Sequence, residues 1–332
     1  LPENGCTDED VQRVLAALTA ARGGAFLITH QNADLDAAGA CIALQELLKQ
    51  LGIPSRIGSG SHASVAARKL IDYLDAEFEV RPPNPGGLPV LVDVQNPDQV
   101  APLIPWKRPV VLDHHPYAGP CDYQASLTDD TSPSTCELVH RLFEAAGAVP
   151  SSRAAAGMIA GMVADTMSFR RAQAGTFRAM ARLLATTDVN YQEVLDAIHL
   201  EPDRSSRIAI LKGAQRAELT LIGPWIVAVT KVNSFEADVA NALIRSGADI
   251  AFVGAKKKGG FRITARARKS FIKSTGIHVY KDLLVNIEVI IQGSGGGHDA
   301  AASVNGLVKM DEGIKALLKV LRERLGDEGH GR

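Results

Sequence analysis

Four short stretches carry side chains that ligate metals and move protons. "THQNADLDA" holds His30, Asp34 and Asp36, "VDVQNP" holds Asp93, "LDHHP" holds Asp113, His114 and His115, and "VADTMSFR" holds Asp165. Two carboxylates as close as Asp34 and Asp36 repel each other unless positive charge sits between them. Imidazole with carboxylate suits Mn²⁺, Fe²⁺, Co²⁺ or Zn²⁺, and is less typical of Mg²⁺. The set suffices for two ions sharing one bridging carboxylate, an arrangement that activates water and stabilises in-line displacement at phosphorus. Taken singly, an Asp after a strand is usually a turn former or helix cap, and a lone His is usually structural. Four segments converging on one site are hard to explain that way.

The elements that must position these residues are also readable. "GAFLITH", "PVLVDV" and "PVVLDHH" are short apolar runs that end in acids or histidines, and they read as strands. "DEDVQRVLAALTAAR" reads as an amphipathic helix with acids in its first turn, ending near Gly23 and Gly24. "DAAGACIALQELLKQLG" is a helix closed by Gly52. Strands alternating with helices indicate an α/β fold, a parallel sheet covered on both faces. In such sheets ligands gather beyond the carboxyl ends of the strands. "STCELVHRLFEAAG" and "SRAAAGMIAGMVADT" continue as helices, and Ser134 with Glu137 fits a capping box, a purely structural role.

A more polar stretch, "LLATTDVNYQEVLDAIHLEPDRSS", marks the domain junction. The expected division is 1–187, a linker over 188–206, and a second domain over 207–332. There the pattern restarts, with "WIVAVTKV", "IAFVGAKK" and "GFRITARA" as strands, "EADVANALIRSG" as a helix and "KMDEGIKALLKVLRERLG" as a closing helix. "QGSGGGHDAAAS" places Gly295, Gly296, Gly297 and His298 before an Ala-rich run read as a helix. Bare amides at a helix N-terminus would bind an anion, although flexible loops share that composition. In "KKKGGFRITARARK", Arg262, Arg266 and Arg268 fall on one face of a strand, either a solvated polar face or a phosphate-recognition edge.

Composition sets outer bounds. A chain of 332 residues is long for one core, and two domains are expected. With 46% hydrophobic and 22% charged residues it is an ordinary globular sequence. A net charge of −1 argues against gripping long nucleic acid by bulk charge, while leaving room for a local basic cleft. Cys6, Cys41, Cys121 and Cys136 are scattered with no CxxC pair, so neither a zinc ribbon nor a disulfide framework is expected, and a cytoplasmic location is. No apolar run approaches the roughly 20 residues of a membrane helix.

In order, "NADLDA", "VDVQNP", "LDHHP" and "ADTMSFR" resemble the four metal-site motifs of the DHH phosphoesterases, a family named for the triplet Asp113-His114-His115. "FRITARA" and "GSGGGHDAAAS" are similar to the Arg strand and GGGH motif of the DHH-associated C-terminal domain. The nearest layout is that of the nanoRNases of the NrnA type, which also hydrolyse pAp or linear dinucleotides. The resemblance implies a parallel-sheet domain and a smaller α/β domain, with the active site in the cleft between them. It implies two divalent ions, manganese first, with magnesium or cobalt as alternatives. His30 and Asp34 would hold one ion, Asp36, His114 and Asp165 the other, and Asp93 would bridge. His115 would contact the scissile phosphate and Asp113 would orient the histidines. Arg266, Gly296, Gly297 and His298 would hold the substrate.

The implied reaction is hydrolysis of short oligonucleotides to 5′-mononucleotides. Alternatives are a cyclic di-AMP or linear dinucleotide phosphodiesterase, a RecJ-like exonuclease, an exopolyphosphatase, or a scaffold binding nucleic acid or a replication partner without catalysis. A homodimer is suggested by analogy alone. Two positions depart from the family: Leu35 within Asp34-Leu35-Asp36, and Met167 where Gly is common.

Overall fold

The computed structural model describes residues 6–82, 86–100, 108–116, 122–199 and 203–326, so Cys121 and part of the expected linker lie outside the described residues. The chain forms two compact units, residues 1–200 and 201–332.

The first unit is built on strands β1 (Ala25–Thr29), β2 (Ser55–Ser59), β3 (Glu79–Val80), β4 (Leu88–Val92), β5 (Val110–Asp113) and β6 (Ala125–Thr128). Among the described residues they form a six-stranded sheet in the order β3-β2-β1-β4-β5-β6, parallel throughout. The apolar runs explain this arrangement. Every residue of β1 is buried. Leu27, Val90, Val92, Val110 and Leu112 feed one core, while Phe26, Ile28, Leu91 and Val111 feed a second cluster. Strands buried on both faces need no polar alternation.

The helices are α1 (Asp8–Thr19), α2 (Leu35–Gln50), α3 (Val65–Tyr73), α4 (Thr135–Ala145), α5 (Ser152–Asp165), α6 (Ala174–Thr186) and α7 (Tyr191–Ile198). A capping box between Thr7 and Asp10 opens α1, which stops at Thr19, short of the glycines expected to end it. Helix α2 is buried continuously from Asp36 to Leu44, as its apolar sequence requires. It crosses α5 closely enough that a Cβ on Gly39 would meet the Gly157 carbonyl oxygen at 2.2 Å. Larger residues at that crossing would separate the two helices that carry Asp36 and Asp165.

The second unit contains α8 (Arg204–Gln215), β7 (Glu218–Ile222), β8 (Trp225–Val232), α9 (Glu236–Ser246), β9 (Ile250–Lys257), β10 (Gly260–Ala267), α10 (Lys269–Thr275), α11 (Glu288–Ile291), β11 (Ser294–Gly297), β12 (Ala301–Gly306) and α12 (Met310–Leu325). Its sheet runs β11-β12-β10-β9-β8-β7 and is mixed, with β8 and β9 parallel and the other pairs antiparallel. The chain is thus an α/β protein with one parallel and one mixed sheet.

Two expectations about this unit fail. The Ala-rich run after the glycines is strand β12, paired antiparallel with β11, so a strand and not a helix comes next after Gly297. Ala302 and Val304 point into the core at strand spacing. A Cβ on Gly295 would meet Ser303 O at 2.2 Å, so the glycines serve close strand contact rather than a helix N-terminus. Arg268 does not share the strand face with Arg262 and Arg266. It lies beyond β10, at the N-cap of α10, and donates to the carbonyls of Ala248 at 2.9 Å and Ile244 at 2.8 Å.

Candidate metal centre

Strands β1, β4 and β5 are neighbours in the parallel sheet, so their carboxyl ends lie together. The strand order reverses between β1 and β4, the kind of switch point that opens a crevice. His30 follows β1, Asp93 follows β4, Asp113 ends β5, and His114 and His115 come next. Asp34 is the N-cap of α2, Asp36 lies in its first turn, and Asp165 ends α5.

These side chains fall into three groups of ligand atoms, each within 4.8 Å of one another: His30, Asp34 and Asp93; Asp36, His114 and Asp165; and Asp93, His114 and His115. Asp93 links them. Its Oδ2 lies 3.6 Å from His30 Nε2, and its Oδ1 lies 3.6 Å from His114 Nε2 and 3.7 Å from His115 Nδ1. Its backbone is left-handed, at φ 60°. A non-glycine residue there costs about 1–2 kcal/mol, strain of the kind that concentrates at functional sites.

The helix-cap reading and the ligand reading of Asp34 coexist. Oδ1 accepts the amides of Asp36 at 3.0 Å and Ala37 at 3.1 Å, while Oδ2 lies 4.0 Å from His30 Nε2. Asp36 is completely buried. The N-terminus of α4 holds it: Thr135 N–H donates to Oδ2 at 2.6 Å and Cys136 N–H to Oδ1 at 3.1 Å. The Thr135 hydroxyl also donates to Asp93 Oδ1 at 2.9 Å. The segment read from sequence as a simple cap therefore secures two carboxylates of the centre. Ser134 does accept from Glu137 N–H, but the Glu137 carboxylate accepts from the Thr176 hydroxyl instead of closing a capping box.

His114 tests whether the site suits a cation. Its Nδ1 lies 3.3 Å from the Ser132 carbonyl, a contact that assigns the proton to Nδ1 and the lone pair to Nε2. Nε2 is buried without a hydrogen-bond partner. It lies 3.2 Å from Asp165 Oδ2, 3.6 Å from Asp93 Oδ1 and 3.9 Å from Asp36 Oδ2. A lone pair facing three carboxylates requires positive charge among them. Either a proton or a divalent cation supplies it, and the donor set fits the latter.

The electrostatics agree. Burial opposes the His114 imidazolium, but Asp165, Asp36 and Asp93 outweigh it and hold the group up at about 9. Burial drives the Asp36 carboxyl well above its usual range, with Asp93 and Asp165 pushing the same way. Burial works against Asp93 also, yet His30, His114, His115 and Thr135 together keep it below the ordinary carboxylate range. Asp113 is buried and Oδ1 takes His115 Nδ1 at 2.8 Å, so it orients one histidine; no contact with His114 is seen among the described residues. The His115 side chain is 56% exposed, pointing away from the core.

After Asp165 the chain turns through Met167, Ser168 and Phe169, all left-handed at φ 53°, 54° and 67°. The Thr166 hydroxyl staples this turn, donating to Met162 O at 2.6 Å and accepting from Phe169 N–H at 3.0 Å. A positive φ at Met167 accounts for glycine's suitability there.

The remaining expected site residues lie in the second unit. Arg266 pairs in register with Ala301, whose carbonyl accepts from His298 N–H at 2.8 Å. Gly296 is exposed, with open space where a Cβ would stand, and Gly297 is packed against Ala302.

A sheet with acids and imidazoles gathered at its carboxyl edge defines a class of α/β protein built to hold cations. A family model described as the DHH family, N-terminal domain, matches residues 25–168. An uncharacterized protein of Methanocaldococcus jannaschii is 30% identical over 295 residues, 86% of this chain and 87% of its own length. The bifunctional oligoribonuclease and PAP phosphatase NrnA of Thermus thermophilus is 23% identical over 337 residues, 97% of this chain and 96% of its own. The solved structure of an exopolyphosphatase-related protein from Bacteroides fragilis shares the fold, with a TM-score of 0.61 at 14% identity and coverage of 96% and 97% of the two chains. The chain belongs to the DHH family and is a DHH-type phosphoesterase, a hydrolase.

Proposed function

We propose that the chain is a two-metal phosphodiesterase that releases 5′-mononucleotides from short oligonucleotides. The observation that carries this reading is Asp93, whose Oδ2 lies 3.6 Å from His30 Nε2 and whose Oδ1 lies 3.6 Å from His114 Nε2, so that one carboxylate faces both clusters and is suited to bridge two ions. His30 and Asp34 complete one site, and Asp36, His114 and Asp165 the other. Mixed imidazole and carboxylate donors favour manganese, with magnesium or cobalt as alternatives. Bound there, divalent ions supply Lewis acidity and activated water for displacement at phosphorus.

The protein's own groups do the rest. Thr135 and the α4 amides fix the two buried carboxylates. Asp113 holds His115 Nδ1, which directs Nε2 outward to stabilise developing charge on a phosphate oxygen. In the second unit Arg266, with Gly296, Gly297 and His298, binds the substrate's other phosphate, a guanidinium being able to grip it through two parallel hydrogen bonds. The choice of short oligonucleotides, and of pAp as a further substrate, leans on the named activities of the Thermus relative.

The test is Mn²⁺-dependent hydrolysis of a labelled RNA series, from dinucleotide to strands many times longer, beside pAp and cyclic di-AMP. Rates falling steeply with length support the reading. Flat or rising rates point to a RecJ-like exonuclease, preference for cyclic di-AMP to a dinucleotide phosphodiesterase, and no hydrolysis of any substrate removes the nuclease assignment.

A further inference from the structure

Gln95 stands two residues beyond Asp93, on the loop that leaves β4, and it is 2% exposed. Val94 between them is buried in the cluster of Phe26, Leu91 and Val111, which anchors this loop from below. The Gln95 Nε2 donates to the His115 carbonyl oxygen. A carbonyl only accepts, so the amide presents its NH₂ group there and not its oxygen. The backbone carbonyl of Gln95 in turn accepts from the Tyr123 hydroxyl at 3.2 Å, just ahead of β6. Three segments thus meet at one buried residue: the Asp93 loop, the turn after β5 and the approach to β6.

His115 needs such a hold. Its side chain is 56% exposed, so packing does not locate the ring. Its Nδ1 and its amide both turn to one atom, Asp113 Oδ1, at 2.8 Å and 3.2 Å. The peptide that follows has no N–H, because the next residue is Pro116. Its carbonyl is then the handle on that side, and Gln95 takes it. His114 is held separately, through Nδ1 against the Ser132 carbonyl.

We propose that Gln95 is a positioning residue for His115: with the carbonyl held, the imidazole stays 3.7 Å from Asp93 Oδ1, beside the metal centre. The consequence for turnover rests on the reading of His115 as the group that steadies charge on the phosphate. In that reading the ion sites do not use His115, so loss of the Gln95 bond falls on the chemical step and leaves ion binding in place. A misplacement of about 1 Å at such a group costs about 10²-fold in rate.

Gln95→Met keeps the length of the side chain and removes the donor. With a dinucleotide RNA and Mn²⁺, kcat should fall about 10–100-fold, while KM and Mn²⁺ affinity stay within about twofold. In a His115→Ala background the same change should cost nothing further, because the residue it acts through is gone. An undiminished kcat, or an equal loss with and without His115, overturns the proposal. Tyr123→Phe, a milder change at the other end of the contact, should lower kcat in the same direction and serves if Gln95→Met folds poorly. Nitrogen NMR of the histidine rings, in EDTA and with His115→Ala for assignment, supplies a readout free of turnover. The His115 Nδ1–H signal should weaken or shift in Gln95→Met while that of His114 stays, and an unmoved His115 signal also overturns the proposal. If wild type hydrolyses nothing, the hydrolysis reading fails, and the spectrum still decides whether Gln95 places the ring.

Discussion

The hydroxyl of Thr135 donates to Asp93 Oδ1 at 2.9 Å, tying the first residue of α4 to the carboxylate shared between the ligand groups. Both residues are buried, so water offers Asp93 little substitute. Thr135→Val preserves shape and removes this donor. Manganese affinity, measured by calorimetry, should fall about 10–100-fold with the unfolding midpoint little changed. An unaltered affinity would show that the hydroxyl is not used.

Asp93→Asn removes the charge that faces His30, His114 and His115 while keeping the side chain's size. Hydrolysis should fall about 10³-fold or more, while a short oligonucleotide still binds through the second unit. Measuring both separates a catalytic loss from a folding defect. Full activity in this variant would end the two-metal reading.

Gly161 tests how tightly the helices set the centre. A Cβ there would approach Cys136 Sγ at 2.4 Å and Asp36 Oδ1 at 2.6 Å. Gly161→Ala should cost about 1–3 kcal/mol in stability and weaken manganese binding, because the nearest atoms belong to Asp36 and its neighbour. Gly23→Ala, with nothing within 4 Å, is the control and should stay within about 0.5 kcal/mol of wild type. Equal denaturation midpoints for the two would contradict this packing.

His140 gives the protein an acid sensitivity of definite sign. Burial, with Arg182, depresses its folded pKa to about 4, below the unfolded value near 6.5; Glu144 at 3.8 Å is itself paired with Arg182. The unfolded chain therefore takes up the proton first. Stability from this group is intact above about pH 6.5, declines as the pH falls, and levels off near 4. At pH 5 the loss is about 2 kcal/mol. Urea midpoints at pH 7 and 5 should converge in His140→Leu relative to wild type.

Much of the first unit was legible because buried parallel strands leave a plain mark: Ala25 to Ile28 and Val110 to Leu112 are unbroken apolar runs, and polar residues begin at the strand ends. His30, Asp93 and His114 could be placed together because parallel strands end on one edge. Thr135 could not. Its local text matches an ordinary helix start, and its partners Asp36 and Asp93 lie 99 and 42 residues away. The error at the second unit's glycines has another cause. Alanine favours helix, so only Ala302 and Val304 alternating into the core decide for a hairpin, and that alternation is too short to stand out in sequence.

Asp36 keeps standing partners in the α4 amides whatever else enters the crevice. Where metal ligands depend on the ion for their order, chelation unfolds the protein. Here a chelator should leave the helical signal and cooperative unfolding in place while removing activity. Loading and unloading become exchange reactions on a finished scaffold, so catalytic capacity would track the free metal concentration of the surroundings without the protein being rebuilt each time.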